Sequence, residues 1–245
     1  MIKLKNISLQ IPIFTNETRH LKKKIIKSVT GGLLSRGSAD VTLIDALIDI
    51  NCKIDKGERI ALIGHNGAGK SSFLKLVSKI YEPTKGSIDS DVKVFPMIRK
   101  GFLTNPALSG FVAAKAQYLI INKTGNGFGE FLEKVIEFSG IGDFIYLPIN
   151  TYSEGMASRL LFTLLTSFKH ECLALDEGFG AGDNDFYNKA EKRLDEFINS
   201  AGTLIFASHS DKLLERYCER GLVFAKGRII FDGDLKDALN FYYGK

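Results

Sequence analysis

Three stretches of this 245-residue chain have the residue types and spacing that chemistry on a phosphate group requires. The first is Gly64-His65-Asn66-Gly67-Ala68-Gly69-Lys70-Ser71, followed by Ser72, which fits G-x-x-x-x-G-K-[ST]. Glycines let successive backbone N–H groups converge on phosphate oxygens with no side chain in the way. Lys70 is expected to reach the β- and γ-phosphates of a nucleotide, and the Ser71 hydroxyl to bind Mg²⁺. The second stretch is Cys172-Leu173-Ala174-Leu175-Asp176-Glu177, an apolar run ending in two acids. Asp176 suits the Mg²⁺ shell, and Glu177 could take a proton from an attacking water. Alone, the pair could equally be two surface acids at a strand end. The third is Thr203-Leu204-Ile205-Phe206-Ala207-Ser208-His209. Here a side chain with donor and acceptor nitrogens leaves another apolar strand, where His209 could touch the γ-phosphate and help position Glu177 and the water.

Such residues work only if strands and helices deliver them to one place. Arg59 to Ile63 reads as a short buried strand, and Lys70 to about Ile80 as a helix whose positive end adds to the attraction for phosphate. Strand signals recur at Ile2–Leu9, Val41–Ile54, Cys172–Leu175, Thr203–Ala207, Leu222–Phe224 and Arg228–Phe231. Between Pro106 and about Gly142 the pattern is mostly helical, with Phe131, Val135 and Phe138 at helical spacing. Strand–helix alternation at both ends around a helical insertion predicts an α/β fold.

Tyr152-Ser153-Glu154-Gly155-Met156 opens a further helix, predicted over Ala157 to Phe168. Ser153 has the chemistry of an N-cap, and Gly155 leaves the helix start open to close approach. The pentad reads either as an ordinary capped helix or as a second anion site. A second site makes sense if it completes the nucleotide site of another subunit.

Bulk properties narrow the setting. The net charge is +5, yet residues 1–40 carry eight Lys/Arg and two Asp/Glu, so the remainder is close to neutral. That local excess does not suit a nucleic-acid binder, which usually spreads a basic stripe over a face. The excess includes a predicted helix, His20 to Val29, with Lys22, Lys23, Lys24 and Lys27 on one side. This side is either a solvated face or a contact with a membrane surface or membrane partner. Three widely spaced cysteines form no disulfide framework or zinc pattern and point to a reducing cytoplasm. No window reaches the ~20 apolar residues of a spanning helix, so work at a membrane would require a partner's helices.

Taken in order, these motifs resemble the ATP-binding-cassette (ABC) ATPases. The glycine loop is similar to their Walker A motif, Ser153–Met156 to their signature, Cys172–Glu177 to Walker B, and His209 to the switch histidine. The resemblance covers nearly the whole chain. It implies a P-loop NTPase core with a mixed sheet, a small antiparallel β subdomain, and a helical subdomain at about residues 96–160. The implied ligands are ATP and Mg²⁺. The implied partners are a second copy, head to tail, and a transmembrane permease. Gly64, His65, Asn66, Gly67, Ala68, Gly69, Lys70, Ser71 and Ser72 would then cradle the nucleotide, with Ser153 and Gly155 serving the facing copy.

Within that family the chain most resembles bacterial polysaccharide exporters, for O-antigen, teichoic acid or capsule. The Tyr-Ser start and Gly-Met end of the signature, Ala181-Gly182-Asp183 after Walker B, and the lengthened segment 12–41 carry this likeness. It implies a lipid-linked glycan as cargo, peripheral attachment at the cytoplasmic face of the cell membrane, and Phe14 as the aromatic that stacks on adenine. An ABC importer subunit, a soluble ABC-type ATPase and a small-molecule kinase are the competing readings. Three departures stand out. Glu154 replaces a small signature residue, Met97-Ile98-Arg99-Lys100-Gly101 occupies the glutamine-loop region, and Gly178-Phe179-Gly180 follows the acids. Ending at Lys245, the chain is expected to lack a C-terminal glycan-binding domain.

Overall fold

The computed structural model describes residues 1–14, 34–36, 41–97, 105–176 and 184–244. In chain order the elements are β1 (Ile2–Phe14), β2 (Leu34–Arg36), β3 (Val41–Ile54), β4 (Arg59–Ile63), α1 (Lys70–Val77), β5 (Lys85–Ser90), β6 (Val94–Met97), α2 (Gly110–Asn122) and α3 (Phe128–Ser139). Two 3₁₀ turns (Gly142–Tyr146 and Ile149–Thr151) lead to α4 (Glu154–Leu165). Then come β7 (Cys172–Asp176), α5 (Asn184–Ser200), β8 (Thr203–Ala207), α6 (Asp211–Tyr217), β9 (Arg220–Ala225), β10 (Arg228–Asp234) and α7 (Leu235–Tyr243). The chain divides into two units. One comprises Met1–Ile98, His170–Glu177 and Ala201–Lys245; the other comprises Arg99–Lys169 and Gly178–Ser200.

The first unit holds both sheets. A six-stranded sheet runs β10-β9-β4-β8-β7-β6, parallel except for the antiparallel β10. A four-stranded antiparallel sheet runs β2-β3-β1-β5. The fold is thus α/β with a mixed and a small antiparallel sheet. β8 is buried along its whole length and β4 along all but its first residue, as expected for parallel strands covered on both faces. This explains why their sequences are unbroken apolar runs. On α1, Phe73, Leu74, Leu76 and Val77 are buried, each contributing about 1.5–3 kcal/mol of burial. The Phe73 ring lies 5.3 Å from that of Phe224 on β9.

β1 accounts for its own irregular pattern. Ile2 and Leu4 are buried, then Ile7 and Leu9, so the inward phase moves from even to odd positions. A register shift between Leu4 and Ile7 coincides with Asn6 at φ 50°. This is a bulge, which inserts one residue and re-aims the strand. The strand also continues past Pro12, where the sequence alternation stops. Pairing with β5 ends at Ser8, so Pro12 sits where one edge of β1 no longer needs an N–H donor.

The second unit is helical. Ala114, Val135, Ile145, Leu160 and Leu164 form its main core, and Phe162, Phe186 and Ala190 form a smaller cluster. The predicted basic helix at 20–29 lies outside the described residues.

Candidate functional site

Parallel register puts three strand ends at one edge of the sheet. Leu62 of β4 and Asp176 of β7 both align with Ala207 of β8. The residues that follow therefore leave the carboxyl edge together, where open α/β sheets take their ligands. These are the 64–71 loop after β4 and Ser208-His209 after β8.

The loop depends on its glycines. Gly64, Gly67 and Gly69 have φ of 147°, 79° and 117°. A Cβ on Gly64 would stand 2.4 Å from the Phe224 carbonyl oxygen, and one on Gly69 3.1 Å from that of Ala46. Bends and packing both demand glycine at these two places. Gly69 is the N-cap of α1 and supplies no side-chain cap. The first-turn N–H groups, which a helix leaves without internal acceptors, are thus available to an anion.

Lys70 is buried, and its Nζ donates to the carbonyls of Gly64 and, at 3.2 Å, His65. A buried ammonium costs several kcal/mol unless it is bonded, so the loop and Lys70 hold each other in shape. Ser71 donates from Oγ to Asp176 Oδ2 at 2.7 Å. This joins the start of α1 to the end of β7 and places a hydroxyl beside a carboxylate. Two adjacent hard oxygen donors suit a small divalent cation such as Mg²⁺, and the N–H groups of the loop suit the phosphates it accompanies. Ser72 is half-buried, and His65, Asn66 and His209 are exposed while Ala68 is buried. Ser208 is buried, and its Oγ accepts from the Ser210 N–H at 3.0 Å, fixing the turn that carries His209. Glu177 and the 181–183 segment lie outside the described residues. Phe14 pairs through its backbone with Val41 at the end of β1; its side chain is not among those described.

In the second unit, Ser153 is the N-cap of α4, accepting from the Met156 N–H at 3.2 Å. The helix thus begins three residues earlier than the sequence pattern indicates. Tyr152 fixes the approach to it, donating from its hydroxyl to the Phe144 carbonyl at 2.6 Å. Burial raises the Tyr152 pKa above that of an ordinary phenol. A Cβ on Gly155 would meet only Ser153 Oγ, at 3.9 Å, so this turn is open to close approach. Glu154 is the first residue of α4, where a carboxylate is favoured by the helix dipole. An acid at this position thus has a local stabilising reason.

Two contributors escaped the sequence. Lys226 and Gly227, both at positive φ, make the two-residue turn between β9 and β10. Gly227 donates to the Ala68 carbonyl at 2.9 Å and accepts from the Ile48 N–H at 2.8 Å, bracing the phosphate loop against β3. The Lys-Gly pair between two strands was the available signal. Tyr242 on α7 meets His65, its hydroxyl 3.1 Å from Nδ1; nothing in its local sequence announces this.

Comparison with known proteins supplies the family. Residues 47–180 match the ABC transporter family. The chain is 34% identical over 216 residues to the O-antigen export system ATP-binding protein RfbE of Yersinia enterocolitica, covering 88% of this chain and 90% of that one. It is 30% identical over 242 residues to RfbB of Klebsiella pneumoniae, covering 99% and 97%. It is also 30% identical to the teichoic acids export ATP-binding protein TagH of Bacillus cereus, of which it spans 42%. Among solved structures, the ATP-binding cassette MJ0796, in a dimeric post-hydrolysis state bound to ADP and Pi, superposes with a TM-score of 0.66. That match has 18% identity, covers 96% of this chain and 99% of that one, and speaks to the fold. Among the described residues no helix is long and apolar enough to cross a membrane. With the glycine loop, the braced lysine and the serine–aspartate pair at one sheet edge, and family similarity running almost end to end, the chain belongs to the ABC transporter family as one of its ATPases.

Proposed function

We propose that this chain is the ATP-hydrolysing subunit of an exporter that moves a lipid-linked polysaccharide across the cytoplasmic membrane. The observation carrying the ATPase part is the Ser71–Asp176 hydrogen bond at the mouth of the glycine loop. The polysaccharide part rests on relatives named for O-antigen and teichoic acid export. The whole chain is read as a single nucleotide-binding domain, its helical unit inserted in a RecA-like core.

In this reading the loop N–H groups of residues 64–72 and the Lys70 ammonium bind the β- and γ-phosphates. Ser71 and Asp176 hold Mg²⁺, which supplies charge neutralisation at the phosphates. Phe14 stacks on adenine. Glu177 accepts a proton from water, and His209 orients that water towards the γ-phosphate. Ser153 and Gly155 of a second copy close the site from the other side. Bound ATP then favours the closed pair, and loss of phosphate reopens it. A transmembrane permease, with this chain attached peripherally at the cytoplasmic face, converts closure and reopening into outward movement of cargo.

The test is the molar mass of the Glu177→Gln chain in solution with and without Mg-ATP. ATP-dependent dimerisation is expected. A chain that binds ATP yet stays monomeric, even after Glu154→Gly, would remove the shared-site mechanism. For the cargo, deleting the gene should leave lipid-linked glycan on the inner face of the membrane; normal surface glycan would refute the export reading.

A further inference from the structure

The phosphate loop is braced by backbone hydrogen bonds, and one of its exposed residues, His65, also meets a side chain from far along the chain. His65 stands second in the loop and is exposed. Its carbonyl accepts from Ala68 N–H at 3.1 Å and from Lys70 Nζ at 3.2 Å. The orientation of residue 65 thus bears directly on where the lysine ammonium sits. The imidazole ring in turn meets Tyr242 on α7. The hydroxyl lies 3.1 Å from Nδ1, and the ring centroids are 5.2 Å apart at 52°. Tyr242 is itself supported, because the ring of Tyr243 packs edge-on against it at 5.0 Å. Tyr243 donates from its hydroxyl to the Asp211 carboxylate, with contacts of 3.0 and 3.3 Å. Asp211 opens α6, two residues after His209.

We infer that Tyr242 is a positioning residue for the nucleotide site: its hydroxyl fixes the His65 ring, and through it the loop carbonyl that steers Lys70. The Tyr243–Asp211 bond anchors the same helix end to the segment that carries His209. α7 therefore links the loop that grips the phosphates to the turn that presents the histidine. All of these residues belong to one unit, so the link does not depend on where the helical unit sits. The geometry favours this role over simple packing. Tyr242 is half-buried, and its hydroxyl lies within hydrogen-bond distance of a loop side chain. The inference rests on reading residues 64–72 as the nucleotide site.

The test is a double-mutant cycle read by calorimetric titration of Mg-ADP, which binds without turnover. Tyr242→Phe keeps the ring and removes the hydroxyl. Loss of one exposed hydrogen bond is expected to weaken Mg-ADP binding about two- to tenfold. The KM for ATP should rise by a similar factor, while kcat at saturation stays close to the parent value. His65→Ala should weaken binding at least as much, and Tyr242→Phe should add nothing in the His65→Ala background. Multiplying losses, or a Tyr242→Phe chain that binds like the parent, would overturn the inference. So would a loss confined to the thermal midpoint of the free chain, which would assign Tyr242 to packing alone. Lys70→Ala separates the two claims. If it binds Mg-ADP normally, the site reading itself fails; if it does not bind while Tyr242→Phe is neutral, only the role of Tyr242 fails.

Discussion

Replacing Gly64 by alanine tests whether the loop's shape is fixed by backbone contacts, and Gly67→Ala in the same loop is the control. At Gly64 the backbone has φ 147°, a region that side-chain-bearing residues rarely enter, at a cost of about 1–3 kcal/mol. The new Cβ would also stand 2.4 Å from the Phe224 carbonyl oxygen and 3.2 Å from Ala68 Cβ. Phe224 belongs to the interior of the central sheet, so its main chain cannot easily yield. Overpacking of this kind adds about 1–3 kcal/mol. Gly67 differs in one respect that matters: its φ is 79°, but nothing lies within 4 Å of the added carbon. Only the left-handed strain applies there, about 1–2 kcal/mol. With roughly 2–4 °C of thermal midpoint per kcal/mol for a chain of this size, Gly64→Ala should fall on the order of 10 °C and Gly67→Ala a few degrees. The chain has no tryptophan, so far-UV circular dichroism is the suitable probe. Saturating Mg-ADP should raise the midpoint of the parent and leave that of Gly64→Ala unmoved. A Gly64→Ala midpoint at or above that of Gly67→Ala would refute the argument from close approach.

Other perturbations probe separate parts of the molecule. Ser71→Ala removes the hydroxyl beside Asp176 and should cut the Mg²⁺-dependent gain in ADP affinity by about 10–100-fold, measured as the ratio of affinities with Mg²⁺ and with EDTA. Ser153→Ala should cost about 1 kcal/mol through the lost cap on α4. Gly155→Ala should leave the thermal midpoint nearly unchanged yet abolish ATP-driven dimerisation of the Glu177→Gln chain. Glu177→Gln itself should lower ATP turnover about 10²–10⁴-fold with nucleotide affinity retained. His170 stacks on Phe95 at 3.7 Å, and burial, followed by nearby Lys93, holds its pKa down to about 4. The unfolded chain, with an ordinary histidine, binds more protons between about pH 6.5 and 4. This contribution is therefore present above about pH 6.5 and is lost as pH falls towards 4. His170→Phe should flatten the fall in urea midpoint across that window.

What the sequence made legible was what local chemistry dictates. The G-x-x-x-x-G-K-S loop announced itself, because converging N–H groups need glycine at those positions. The runs at Arg59–Ile63, Cys172–Asp176 and Thr203–Ala207 could be read as buried strands because both faces of each are covered. β5 and β6 gave no such signal. β5 is an edge strand with mostly exposed residues, and β6 is four residues long and contains Pro96. The bulge at Asn6 blurred the alternation of β1. Helix α4 was placed three residues late, since Glu154, Gly155 and Met156 have little apolar periodicity and the start is set by the Ser153 cap. The Tyr242–His65 and Gly227–Ala68 contacts join residues more than 150 positions apart, and no local pattern encodes such pairs.

The placement of β4 has a consequence for how the protein is made. This strand carries the phosphate loop, yet its neighbours in the sheet are β8 and β9, which pair Arg59 with Leu204 and Ile60 with Arg220. A ribosome that has released only the first 200 residues has produced the loop but neither strand that flanks it. At about 5–20 residues per second, the interval between the two is roughly 7–30 s. Until it ends, β4 is an apolar segment with open edges, a natural client for a holdase. Nucleotide capture thus waits for β8 and β9 to emerge: fragments ending before β8 should not bind ATP.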